Sequence, residues 1–377
     1  MKHQSIHRAW PLAFGLLAAA PAAMAQSAGA DQAELDALRA RVEALENSGQ
    51  SAPLKFSLQN GTSIQLYGYV KGDLIADRDF NLGTTTGGLA TIGLPGGPAA
   101  GDFTQGHAKQ SRFGLNIDGG DFKAKIEGDF FGAGNAFRLR QAYGEWNGIL
   151  VGQTWTNFMS LFNYPGTLDF QGPAGMPFAR VQQVRYTWDN GSGLTLSGSV
   201  EQDKSGAANS PSITAAVKYG FGLGTVRVSG IVRDIAVGGV NVDSWGVNIG
   251  ASVSPWQGGT IMANYSTGDA NSDLLVFGLA GAAQLDGLGE IGADGITIGI
   301  SQDIGDKVVL SVAYGKTELD RAVGVNTRML ETVHLTALYK ASDRVTFGLE
   351  YFTGTRTQGN GVEFDADRVQ FSGQFNF

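Results

Sequence analysis

From Leu54 to the C-terminus the chain alternates between apolar and polar residues, one strand-length after another. The last stretch, "DRVQFSGQFNF", shows the pattern: Val369, Phe371, Gly373, Phe375 and Phe377 fall on one face, and Arg368, Gln370, Ser372, Gln374 and Asn376 on the other. A period of two is the signature of a β-strand with one greasy and one wet face. "SIQLYGYVKGDL" does the same, with Ile64, Leu66, Gly68, Val70, Gly72 and Leu74 opposed to Gln65, Tyr67, Tyr69, Lys71 and Asp73. Further strands are predicted near 110–118, 122–131, 137–147, 149–156, 180–189, 193–202, 211–220, 224–234, 243–254, 258–268, 294–302, 307–317, 329–341, 344–355 and 366–377, sixteen in all.

Their connections alternate in kind. Short Gly- and Asn-rich turns follow the even strands, among them "NG" at 147–148 and "NGSG" at 190–193, whereas longer segments follow the odd ones, the largest near 76–109, 157–179 and 268–293. An even strand count with turns at one end and loops at the other predicts an all-β fold, a sixteen-stranded antiparallel transmembrane β-barrel, whose closure leaves no bare strand edge for lipid to face. Aromatics collect toward both strand ends. Trp146, Trp188, Tyr219, Trp256, Tyr339 and Phe377 fall toward the turns, and Trp155, Trp245, Tyr265, Tyr314 and Tyr351 toward the loops, as two interfacial girdles would. A soluble all-β protein is the rival, but it would not keep its outward faces apolar in nearly every strand.

Upstream, residues 1–25 have the form of an export signal: Lys2 and Arg8, then "WPLAFGLLAAA", then the A-x-A site Ala23-Met24-Ala25. In 26–52, Leu35, Leu38, Val42 and Leu45 form a two-heptad seam, expected to be a short periplasmic coiled coil that also offers a contact to the cell wall. Residues 53–60 make a linker or short hairpin, and 61–377 the barrel. Without Lys2 and Arg8 the chain keeps 25 basic and 35 acidic side chains, a balance that argues against nucleic acid as a partner. Cysteine is absent, so thiolate metal sites and disulfides are excluded, and no cofactor is expected.

Strand parity turns one set of bases inward: Lys71, Arg112, Lys123, Lys125, Arg138, Arg140, Arg185, Lys218, Arg227, Arg233, Lys340 and Arg368. The inward acids are fewer, Asp73, Glu127, Asp129, Glu201 and Glu350, so an acidic chain is expected to have a basic lumen. Low-dielectric walls focus the field of such charges, and Arg/Lys linings favour anions. Lys123 and Lys125 stand beside Glu127 and Asp129, and either neutralise them or line the path. Arg138, Arg140, Arg185 and Arg227 have few inward acids near them in the pattern; Arg112 and Arg233 complete the candidate lining. One strand resists: in "FRLRQAYGEWN", inward Arg138 and Arg140 put Gln141 and Glu145 outward and Trp146 inward, which calls for a bulge or a covering subunit. The apolar loop 157–179 is expected to fold into the barrel as a constriction, with Asp169, its one charge, facing the arginines. Asp269, Asp273, Asp286 and Glu290 in the loop 268–293 either bind divalent cations between lipopolysaccharide molecules or are simply solvated.

"YGYVKGDL", "QSRFGLNI", "RLRQAYGEW" followed by "LVGQTWTNFM", and "QVRYTW" resemble, in this order, the DcaP-like trimeric porins of the outer membrane. The resemblance is clearest over the first six strands and the terminal Phe. It implies a homotrimer of sixteen-stranded barrels with an infolded third loop, and passive diffusion of small anionic solutes, dicarboxylates in particular, with Arg112, Arg138, Arg140 and Arg185 as lumen bases. Two other functions compete. An enzyme is disfavoured: "GFGLGTV" precedes no helix, and His107 and His334 lie in no hydrolase motif. A structural or adhesive barrel tethered through 26–52 is the alternative.

Overall fold

The computed structural model describes residues 54–206, 208 and 210–377. The export signal and the heptad segment lie outside the described residues. Sixteen antiparallel strands form one closed barrel: β1 (Ser63–Arg78), β2 (Phe103–His107 and Arg112–Asp118), β3 (Phe122–Asp129), β4 (Arg138–Trp146), β5 (Ile149–Trp155), β6 (Arg180–Asp189), β7 (Leu194–Glu201), β8 (Ser212–Phe221), β9 (Gly224–Val237), β10 (Val240–Trp256), β11 (Gly259–Asp269), β12 (Gly292–Ile304), β13 (Val308–Leu319), β14 (Thr327–Lys340), β15 (Val345–Gln358) and β16 (Glu363–Asn376). Each pairs with its sequence neighbours, and β16 closes onto β1 from Tyr69↔Asn376 to Arg78↔Asp367. Upstream, Lys55–Ser57 folds back on the start of β1 as a small hairpin.

Both pieces of β2 pair with β1, so 108–111 interrupts a single strand, and its loop-end piece was not predicted. The predicted loop after strand nine is also shorter than expected. β9 and β10 run on to a two-residue Gly238-Gly239 turn, both glycines having positive φ as such a hairpin requires.

Outward faces carry exposed Leu74, Ile126, Val184, Val228, Ile249, Leu335 and Phe371, the reverse of a soluble barrel. At the turn end Trp146, Trp188, Tyr219, Trp256, Tyr339 and Phe377 all point out. At the loop end Trp245, Tyr265, Tyr314 and Tyr351 each donate to a carboxylate on an adjacent strand: Asp269, Asp294, Glu331 and Asp367. Trp155 does not join this girdle; it is half-buried against Phe178, with ring centroids 4.9 Å apart.

The strand that resisted parity contains a bulge. Glu127 pairs with Gln141 and the next residue, Gly128, with Leu139, so Arg140 has no partner across the sheet. The extra residue reverses facing below it. Arg138 stays inward, Gln141, Tyr143 and Glu145 turn inward with Glu127, Lys125 and Lys123, and Trp146 turns outward, 53% exposed. Freed carbonyls of Leu139 and Arg140 accept the Gln153 side-chain amide at 3.2 Å each.

Three loops fold inward: 79–102, 156–179 and 270–291. Leu82, Leu89 and Ile92 from the first meet Ala174 of the second and Leu279 and Ile291 of the third, against Leu319, Leu330 and Phe352 of the wall. The second and third loops also bridge through Phe178 N–H to Leu274 O at 2.7 Å and Val276 N–H to Met176 O at 2.8 Å. Glycine makes this approach possible. A Cβ at Gly295 would sit 2.2 Å from Gly175 O, and one at Gly315 2.4 Å from Ala174 O, so loop backbone rests directly on wall backbone.

Candidate functional site

The infolded loops cover only part of the wall. On β8–β16 most inward polar side chains are buried, including Asn248, Ser266, Thr297, His334, Glu350 and Arg356. On the lower part of β1 and on β2–β6, inward Tyr67, Tyr69, Arg112, Lys125, Arg138, Tyr143 and Arg185 remain half-exposed. The open lumen surface is therefore this side, which holds most of the candidate bases.

Its charges are held in a lattice. Asp129, at the loop end of β3, accepts from Arg138 Nε at 2.9 Å and Nη2 at 2.8 Å, and from Arg140 Nη1 at 2.9 Å. Arg140 Nε reaches Glu127 at 2.9 Å, and the Tyr67 hydroxyl donates to the same carboxylate at 2.9 Å. Arg138 pairs bidentately with Asp129, and Arg140 bridges Glu127 and Asp129, so both guanidinium planes are fixed in orientation. This corrects the expectation that few acids stand near Arg138 and Arg140. Arg112 lies 3.6 Å from Glu127 and over the Tyr69 ring, and Lys125 lies 4.0 Å from Glu127 and 4.9 Å over Tyr67. Lys123 is exposed at the turn end, opposite Glu145 in the register. Arg185, half-buried between Leu150 and Ser199, leaves its Nε without a hydrogen-bond partner.

Two candidates have other work. Arg227 is buried and donates to the carbonyls of Asn157, Phe158 and Met159, so it anchors the infolded loop. Arg233 is buried between Asp203 and Asp273, clasping the loops 202–211 and 270–291, with Asp273 at 2.8 Å. Burial alone would raise the Asp203 carboxyl, but its hydrogen bond and charge contact with Arg233 win and hold it down at about 2.

Asp169 does not face the arginine lattice. It is buried on the β1/β16 side, where it accepts from Arg368 Nη1 at 3.0 Å and from the Thr86 amide and hydroxyl at 3.1 and 3.0 Å. Arg368 also grips Asp77, at 2.6 Å. The neighbouring amides of Leu168 and Asp169 donate to Glu350, at 2.6 and 3.1 Å, and Leu168 O accepts from Lys71 Nζ at 3.0 Å. Asp169 is thus a fastener between two loops and the wall. The sequence around Asp169 gave no sign of this, because its partner Arg368 stands 199 residues away.

Sequence parity missed Arg180, the first residue of β6. It pairs in register with Trp155 and places its guanidinium 5.0 Å over that ring. The facing of Glu145, open in the sequence between a bulge and a covering subunit, is inward because of the bulge. Among the described residues no cluster of His, Cys, Asp and Glu is suited to a metal ion.

No protein-family model matches the sequence, and no curated protein does. Solved structures do. The outer membrane channel DcaP of Acinetobacter baumannii superposes with a TM-score of 0.76 at 23% identity, over 85% of this chain and 99% of that one. An anion-selective porin from Comamonas acidovorans matches at 0.57 and 17% identity, over 84% and 100% of the two chains. OmpT of Vibrio cholerae in a trimer form matches at 0.52 and 15%, over 84% and 99%. The fold these likenesses show is a single one: this chain is a closed β-barrel built as the DcaP outer membrane channel is.

Proposed function

We propose that the chain is an outer-membrane porin for passive diffusion of small hydrophilic solutes, with a preference for anions. The observation that carries this is the composition of the inward face of β2–β6, the side the loops leave most open: Arg112, Lys123, Lys125, Arg138, Arg140 and Arg185 stand against Glu127, Asp129 and Glu145. A surplus of fixed cations beside water enriches anions in the pore. Each contact stays weak, because two charges 4 Å apart gain only about 1 kcal/mol in a water-like dielectric, so a solute enters without being trapped. The outward apolar band and its two aromatic girdles suit a membrane, and the likeness to outer-membrane channels supports the outer one. Small carboxylates, dicarboxylates among them, are the substrates we infer from the resemblance in sequence.

A homotrimer fits the same barrel. β3, β5 and β7 span only 8, 7 and 8 residues, short of the roughly 9–11 that cross a bilayer. That low stretch of wall is best covered by protein, and OmpT, solved in a trimer form, has a similar fold.

The test is the reversal potential of the protein in a planar bilayer under a KCl gradient, for wild type and for Arg138→Ala/Arg140→Ala. Chloride preference in the wild type is expected, falling or inverting in the variant because Glu127 and Asp129 lose their partners. Cation preference in the wild type would overturn the proposal, and absence of conductance would favour a purely structural barrel.

A further inference from the structure

β4 and β5 separate early. Their last paired residues are Ala142 and Gln153, whereas β5 stays paired with β6 as far as Trp155↔Arg180. The fork so formed holds a cavity of about 410 Å³, lined by Arg138, Gln153, Trp155, Phe170, Phe178 and Arg180 among others. That volume lies at the lower end of the range typical of small-ligand pockets.

Two kinds of surface meet there. The apolar part is aromatic. Phe178 packs on Trp155 at 4.9 Å, on Tyr164 at 5.9 Å and on Phe170 at 6.4 Å, and all four rings stay only partly buried. The polar part is guanidinium, but its members are not equivalent. Arg138 and Arg140 are matched by Asp129 and Glu127. Arg180 has no carboxylate or hydrogen-bond partner among the described residues; its Nη1 is buried without one, and its guanidinium lies 5.0 Å over the Trp155 ring. Three of its charged neighbours are arginines, Arg138, Arg140 and Arg112, against a single acid, Asp129. A partly desolvated cation among like charges is a poor arrangement on its own and a good one for an incoming anion.

We propose that this fork is a binding site for aromatic monocarboxylates, the carboxylate pairing with Arg180 and the ring lying among Trp155, Phe170 and Phe178. The inference rests on the porin function proposed above and names a substrate class for it. One unmatched guanidinium accounts for one carboxylate. A second carboxylate would meet Arg138, already satisfied by Asp129, or Lys204, whose ammonium is taken up by the Asp273 carbonyl, and an aliphatic acid would leave the ring surface unused. Planar guanidinium over an aromatic face also suits a flat anion sandwiched beside it.

Block of single-channel chloride current by benzoate, acetate and succinate tests this on the full-length protein. Benzoate is expected to half-block at a concentration at least tenfold below the other two, with that advantage lost in Arg180→Gln. Anion selectivity with equal block by all three, or strongest block by succinate, would overturn the aromatic site and leave the porin function standing. Cation selectivity would overturn the porin function, and fluorescence then decides the site. Benzoate should quench detergent-solubilised wild type and spare Trp155→Phe; quenching unchanged in that variant, or absent in the wild type, would overturn it. Heat-modifiable migration on gels confirms that both variants remain folded barrels.

Discussion

The two sides of the lumen wall begin from the same rule and end differently. β8–β16 with the loop-end half of β1, and β2–β6 with its turn-end half, both turn polar side chains inward, yet on the first side most are buried under loops and on the second several, Arg112, Lys125, Arg138 and Arg185 among them, face open space. Where a loop lies over the wall, Arg227, Arg233, Arg356 and Arg368 donate to carbonyls and carboxylates of that loop, and their charge serves architecture. Where no loop lies over it, Arg112, Lys125 and Arg185 keep a face for water and solute. Side-chain type and strand parity are the same in both cases. What stands in front of the residue decides what it does.

That division predicts unequal costs. Arg368→Ala strands Asp77 and Asp169 together in a buried site, and breaking such a pair should destabilise the barrel by about 3–5 kcal/mol in urea unfolding from micelles. Lys125→Ala, on the open side with its acid 4.0 Å away, should cost less than about 1 kcal/mol. Equal losses would break the distinction between covered and open wall.

The clasp at Arg233 offers a sharper test through pH. Asp203 is held near 2 in the folded chain, below its ordinary 3.8, so the stability it contributes is whole above about pH 4 and is lost as pH falls toward 2. Melting should therefore show this pair's contribution unchanged between pH 7 and pH 4.5, then a loss of about 2 kcal/mol by pH 2, absent in Arg233→Ala. A smaller effect than the clasp's belongs to the fork. Gln153→Ala removes the donor to Leu139 O and Arg140 O and should cost about 1 kcal/mol, with slightly higher current noise. A silent Gln153→Ala would mean that the fork needs no brace.

Much of the barrel was legible because a period of two survives in nearly every strand and most short turns carry their own Gly or Asn. Strand count, the alternation of turns and loops, and the turn-end girdle all follow from information local to ten residues. What was not legible depends on distance. Asp169 finds Arg368, and Arg227 finds the carbonyls at 157–159, through loops whose paths no periodicity records. Arg180 escaped because parity sets it on the outward side with Gln182 and Val184, and only the parting of β4 from β5 opens the wall beside it. Trp155 was expected at the lipid interface by position along the strand, but it closes against Phe178 instead.

The unpaired Arg140 behaves like an inserted letter in a message read two at a time. Upstream and downstream of it the words are intact, but the frame has moved, and Gln141, Tyr143 and Glu145 are spoken to the lumen instead of the lipid. Had the strand run on without the bulge, Gln141, Tyr143 and Glu145 would meet the lipid and Trp146 the channel, a whole row of side chains moved between two solvents with the sheet still closed. Deleting Arg140 itself would move nothing, because Leu139 and Gln141 would then follow one another in register against Gly128 and Glu127. A residue gained in such a strand re-lines the pore a row at a time where the sheet does not bulge to take it up, and leaves both rows in place where it does.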